Sequence, residues 1–339
     1  MSIELKNCPG TLAKGSSTYS ATALRHVFDG KKVSHILPQA APQTNAEDDA
    51  VFIENRKHIS MSGVQEKMSY TQHKNKLALT LEGEQGTHIL KPIPRDLKNV
   101  EYVPANEHLT MQIASQVYGI PTAANALIFF KTGEPAYITK RFDVKPDGTK
   151  LAKEDFAALA GMTEENAGKH FKYDSSYEHI ATLIKKYVPA SMIALEQFYT
   201  LVVFNYLFSN GDAHLKNFAL LETPSGDHTL SPAYDLLSTV LHISDGYLAL
   251  EDGLYDGDMD HPSYSTMGYY CYDDFYDFGL RIGIKETRVF KLLANLLDKE
   301  EQVLSLIHRS FLSEELKETY KRAYDSRLRS VRRSVSGKV

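Results

Sequence analysis

The chain has 339 residues and 42% hydrophobic content, enough for about two ordinary domains with their own cores. Its 38 basic and 43 acidic residues leave a net charge of −5, and its two cysteines, Cys8 and Cys271, supply neither a disulfide framework nor a Cys-x-x-Cys metal pair, which fits a reducing cytosol. The longest apolar run, around Leu201 to Phe208, is far too short to span a bilayer and no basic-then-apolar signal opens the chain, so a soluble cytoplasmic protein without a membrane partner is expected.

The first 150 residues read as a small antiparallel sheet with one helix. Ile59 to Lys67, I-S-M-S-G-V-Q-E-K, places Ser60, Ser62 and Gly63 immediately before the first strand. Lys67 to His73, Lys76 to Glu82 and Thr87 to Lys91 are strand-like runs separated by K-N and G-E-Q-G turn signals. Pro104 to Gly119 opens with Pro and closes with Gly, which brackets a helix. Asn125 to Phe130 and Ala136 to Phe142 form a further hairpin around K-T-G-E-P. The polar stretch Asp143 to Lys150 marks a boundary between a domain of residues 1–145 and one of residues 146–339.

Helical patterns dominate from there on. Glu154, Asp155 and Phe156 cap and anchor the first helix of the second domain. Ser191 to Asn210, with Ser191 as N-cap, is apolar on nearly every face after Phe198, which describes a helix buried in the middle of a lobe. Phe218 to Glu222 reads as a short strand turning back at T-P-S-G-D. Glu251 to Asp277 carries eight acidic residues and no Lys or Arg, as a solvated loop or a surface for a basic substrate segment would. Lys317 to Lys338 carries eight basic and two acidic residues, either a solvated helix face or a surface for nucleic acid or an acidic partner.

The chemistry concentrates in N-G-D-A-H-L-K-N, Asn210 to Asn217, followed eighteen residues later by Asp235 in S-P-A-Y-D. In the protein-kinase arrangement a catalytic-loop Asp accepts the substrate hydroxyl proton, an Asn five residues on binds a metal ion, and a later Asp holds the Mg²⁺ that bridges the phosphates. Asp212, Asn217 and Asp235 fit that order and that step. ATP brings several negative charges, and Mg²⁺ takes only one or two protein carboxylates while keeping its waters. Asp235 and Asn217 are therefore metal-ligand candidates, and Asp212 is left to orient the attacking hydroxyl. His214 and Lys216 are further catalytic candidates, since a cation near the transferring phosphate would help; both serve equally well as residues that shape the loop. Asn-Gly-Asp is in addition a plain turn former.

In the first domain Lys91 ends an apolar strand, where it could meet the α- and β-phosphates with Glu107 on the following helix as its partner. Two unrelated surface charges are the simpler alternative. Backbone N–H groups of Ser60 to Gly63 could cradle phosphate, and hydroxyls so close to a γ-phosphate invite self-phosphorylation, whose added charge would repel the nucleotide. Serines also simply favour turns.

Seven ordered motifs, S-M-S-G-V-Q-E-K, T-H-I-L-K-P, P-A-N-E-H, K-R-F-D, K-E-D-F, N-G-D-A-H-L-K-N-F and S-P-A-Y-D-L-L-S-T, resemble those of the HipA-like serine/threonine kinases, toxins of bacterial toxin–antitoxin systems. The resemblance implies an α+β, two-lobed protein-kinase-like fold, with a small antiparallel-sheet N-lobe and a mainly helical C-lobe. It also implies ATP and Mg²⁺, catalytic Asp212, metal-binding Asn217 and Asp235, nucleotide-binding Lys91, and autophosphorylation at Ser60 or Ser62. Only 59 residues precede Ser60 and the loop reads S-x-S-G, which looks most like the short HipT branch of three-component systems. That branch implies an aminoacyl-tRNA synthetase substrate, tryptophanyl for HipT and glutamyl for HipA. It implies a HipS-like antitoxin and a HipB-like DNA-binding protein as partners, with DNA met only through the complex. A small-molecule phosphotransferase of the aminoglycoside or choline kinase type uses a similar H-x-D-x-x-x-x-N loop, but here Asn210 stands in place of the first His. A non-catalytic pseudokinase would not need the full set of metal and base residues.

Overall fold

The computed structural model of the chain describes residues 5–42, 66–94, 97–255, 257 and 261–337. Five strands, β1 (Met68–His73), β2 (Lys76–Leu79), β3 (His88–Lys91), β4 (Asn125–Phe129) and β5 (Pro135–Lys140), form an antiparallel sheet in the order β2-β1-β3-β5-β4. Alternation along a strand sends successive side chains to opposite faces. Leu90, Ala136 and Ile138 thus join one core with Ala126 and Ile128. Lys91 and its cross-strand partner Tyr137 face the other way. The outer face is covered by residues 5–42, where no element was expected, including α1 (Ala21–Phe28), capped by the Ser20 side chain on the N–H of Ala23 and contributing Ala23, Val27 and Phe28.

Beneath the sheet lies α2 (Val103–Gln116), with Pro104 in its first turn and every residue from Val103 to Ala114 buried. The chain continues through a second sheet of β6 (Lys153–Asp155), β7 (Ala219–Glu222) and β8 (His228–Leu230), in that order. Its helices are α3 (Phe156–Leu159), α4 (Glu164–Ala167), α5 (Tyr177–Tyr187), α6 (Ser191–Leu207), α7 (Pro262–Met267), α8 (Tyr272–Arg281), α9 (Glu286–Leu297), α10 (Glu300–Arg309) and α11 (Glu314–Val331). Asp155 caps α3 by accepting from the Ala158 N–H at 3.0 Å. α6 is buried over most of its length from Ala194 onward; Ala190 rather than Ser191 holds its N-cap position, so Ser191 is the first helical residue and no side chain caps it.

A small sheet lobe and a mainly helical part are the architecture expected of a two-lobed α+β fold. The larger core, however, runs from Ala105 and Leu109 on α2 through α6 to Tyr320, Leu328 and Val331 on α11, and takes in Leu127 and Tyr137 from the sheet. Packing is therefore continuous across residues 145 and 146. Among the described residues no helix is long and apolar enough to cross a membrane.

Candidate active site

Where β3 ends over α2, strand alternation turns Lys91 into the cleft and the helix presents Glu107 to it. Lys91 Nζ donates to Glu107 Oε1 at 2.6 Å and also to Asp235 Oδ1. Lys67, just before β1, donates to the other Asp235 oxygen at 3.5 Å. The Lys91 ammonium lies 5.4 Å from the centre of the Tyr137 ring. Lys91 and Glu107 are buried, whereas the Asp235 side chain keeps 25% of its exposure. Burial pulls the Lys91 pKa down, but the carboxylates of Asp235 and Glu107 outweigh it and hold the ammonium above the ordinary lysine range. Burial pushes the Glu107 carboxyl up to about 7 even with Lys91 alongside. At Asp235 burial acts in the same direction, but Lys91 and Lys67 more than offset it and hold the carboxyl below the usual carboxylate range. Asp235 also has a left-handed backbone, φ 56°, uncommon for a residue other than glycine.

The second group hangs from the C-terminal end of α6. Ser209 turns the chain with φ 52°, and the Asn210 amide donates to Asn205 Oδ1 at 3.0 Å. The Gly211 N–H donates to Thr239 Oγ1 at 3.0 Å, while the Thr239 N–H donates to the Ser209 carbonyl at 2.9 Å. This loop, anchored on both sides, presents Asp212 with 43% of its side chain exposed. The Tyr173 hydroxyl donates to Asp212 Oδ1 at 2.6 Å.

His214 is buried, with Nε2 3.9 Å from Asp212 Oδ1 and its ring edge-on to Tyr173 at 5.1 Å. Burial pulls its pKa down to about 4, so near neutral pH the ring is uncharged and the contact with Asp212 is not an ion pair. Asn217 closes a 3₁₀ turn (Leu215–Asn217), its Oδ1 accepting from the His214 N–H at 3.2 Å. Lys216 turns its ammonium to Asp155, 2.9 Å away.

The structure thus brings Lys91, Glu107 and Asp235 together, and carries Asp212, His214 and Asn217 on one loop, with His214 within electrostatic reach of both Asp212 and Asp235. Ser60, Ser62 and Gly63 lie outside the described residues. Lys67, Tyr173 and Asp245, whose carboxylate occupies the space a side chain at Gly211 would need, escaped the sequence reading. Lys67 sits inside the S-M-S-G-V-Q-E-K motif and was within reach of it. Tyr173 is 39 residues from Asp212 and carries no local signal.

Among the described residues no group of three or more His, Cys, Asp or Glu could hold a metal ion. The cleft therefore resembles no caged metal centre. An ionised, partly exposed carboxylate, Asp235, and an amide, Asn217, are instead the kinds of oxygen donor that Mg²⁺ accepts when phosphates and water complete its shell.

Comparison with known proteins gives a consistent result. The sequence pattern of the HipA-like C-terminal domain matches residues 59–304. A Haemophilus influenzae protein, provisionally designated a kinase, is 26% identical over 333 residues, covering 92% of each chain. The serine/threonine-protein kinase toxin HipA of Shewanella oneidensis is 26% identical over 204 residues, which cover 56% of this chain and 45% of that protein. Among solved structures, HipA in the Shewanella oneidensis MR-1 complex with HipB and operator DNA superposes with a TM-score of 0.62 at 20% identity, covering 87% of this chain and 74% of that one.

Proposed function

Because the chain belongs to the family of the HipA-like C-terminal domain, we propose that it is an ATP-dependent serine/threonine protein kinase acting as the toxin of a bacterial toxin–antitoxin system. The observation that carries this reading is the meeting of Lys91, Glu107 and Asp235 in the cleft near the loop that presents Asp212. Lys91, already shared between two carboxylates, is placed to donate to nucleotide phosphates. Glu107 fixes its position from below. Asp212, exposed and oriented by the Tyr173 hydroxyl, accepts the proton of the attacking Ser or Thr hydroxyl.

Asp235 and Asn217 would hold Mg²⁺, which when bound neutralises charge on the phosphates. The remaining catalytic contribution of the chain is positioning, since phosphoryl transfer needs alignment and electrostatic stabilisation more than covalent chemistry.

The two-serine loop supports the HipT branch of the family. The corresponding proposal is self-phosphorylation at Ser60 or Ser62, a tryptophanyl-tRNA synthetase as substrate, and HipS-like and HipB-like partners in the cytoplasm. The test is transfer of radiolabelled γ-phosphate from ATP to the chain itself and to the purified synthetase. Asp212→Asn and Asp235→Asn are each expected to lower transfer by at least about 100-fold. Transfer at the parent rate by either variant would remove the residue from the mechanism.

A further inference from the structure

Beyond Asp235 the chain runs along the cleft in a segment tied down at several points. Asn106 Nδ2 donates to the Ser238 carbonyl at 2.8 Å and Asn99 Nδ2 to the Leu241 carbonyl at 3.0 Å. Thr239 joins it to the Asp212 loop through Ser209 and Gly211. A segment so fastened holds its outward side chains at fixed places relative to Asp212.

Those side chains are unusual for a surface. Val240 is 43% exposed, Ile243 42% and Tyr247 37%. The Tyr247 ring is backed by the Arg327 guanidinium at 4.3 Å. Between them Asp245 is exposed, and its carboxylate lies against Gly211, next in the chain to Asp212. Asp212 and Asp245 feel each other's charge. Arg327, a cation that acts on Asp245, is stacked on the Tyr206 and Tyr247 rings. Two neighbouring anions at the place where an acceptor hydroxyl must arrive repel an acidic approach and favour a cationic one. Apolar side chains spread over several residues suit a stretch of polypeptide more than a small polar molecule.

We propose that residues 240–247 are the docking ledge for the phosphoacceptor segment of a protein substrate, and that Asp245 selects a lysine or arginine next to the accepting Ser or Thr while Val240 and Ile243 hold an aliphatic neighbour. This rests on the phosphotransferase reading above and adds the class of sequence that the site accepts.

The experiment treats a dephosphorylated bacterial lysate with ATP and either the parent chain or Asp212→Asn, and sequences the phosphosites. Should the parent modify no Ser or Thr that Asp212→Asn leaves bare, the phosphotransferase reading itself falls. If it does modify such sites, Lys or Arg is expected within two residues of them, and sites without basic neighbours overturn the ledge alone. The purified substrate is then compared with its own variant in which that basic residue is replaced by Glu. The parent should prefer the native site by at least about fivefold in kcat/KM. Asp245→Asn should flatten this ratio and Asp245→Lys should reverse it. Because the ratio is read within each protein, partial loss of folded enzyme does not move it; an unchanged ratio in Asp245→Lys overturns the proposal.

Discussion

Lys91 sits between two carboxylates of different character. Glu107 is 1% exposed, whereas Asp235 has a second lysine, Lys67, and partial access to water. Removing the cation therefore harms Glu107 most, because an ionised carboxylate without a partner is strongly disfavoured in an apolar setting. Lys91→Met is expected to destabilise the protein by roughly 3 kcal/mol in urea unfolding at pH 8. Adding Glu107→Gln should restore about half of it, since the stranded charge is then gone. Equal midpoints for parent and Lys91→Met, or a double variant no more stable than the single, would contradict this account. That Lys91 and Glu107 meet was legible from a lysine at the end of an apolar strand followed by a glutamate on the next helix. The contact of Tyr173 with Asp212 was not, because the two are 39 positions apart and meet only once the helices α5 and α6 between them have packed. Asp245 was hidden for a similar reason: only the folded chain reveals that its carboxylate fills the place left by Gly211.

At the scale of elements, α8 shows how closely the helices approach. A Cβ placed on Gly279 would lie 2.7 Å from Val289 Cγ2 on α9 and 3.0 Å from Tyr199 Cε2 on α6. Alanine would add up to about 1 kcal/mol of helix propensity, but forcing a methyl into a filled interface costs about 1–3 kcal/mol. Gly279→Ala should therefore destabilise the fold by roughly 1 kcal/mol, read as a lower unfolding midpoint; a higher one would show that the contact yields. The strands of the sheet were readable as short runs between turn signals, and the buried helix α6 as a long stretch apolar on nearly every face. The covering of the sheet by residues 5–42 was not, because Cys8, Tyr19, Val33 and Leu37 are scattered apolar residues whose burial is decided by the sheet they meet. Short pieces such as α4 depend on local caps, here Thr163 and Asn166, which span too few residues to show a period.

The molecule as a whole buries several histidines in neutral form. Burial pulls the pKa values of His88, His108 and His214 down to about 4. The unfolded chain, with ordinary histidines near 6.5, takes up more protons below that value. Stability should therefore fall as pH drops from about 6.5 towards 4, by roughly 1 kcal/mol for each histidine at pH 5.5. Glu107, raised to about 7, works in the opposite direction: it is protonated more readily in the folded state, so its contribution declines as pH rises from about 4.5 to 7. Three groups outweigh one, and thermal melts should show Tm decreasing from pH 7 to pH 5. A constant or rising Tm would mean that the rings are charged in the folded protein.

The larger core, which joins α2 to α11, has a consequence for biosynthesis. The Tyr320 hydroxyl meets Thr110 at 2.8 Å, and Tyr324, Leu328 and Val331 close the same interior. Glu107 is carried on the helix that this late segment covers. A ribosome that has made only the first three hundred residues holds a polypeptide in which α2, and Glu107 with it, still lacks the segment that covers it.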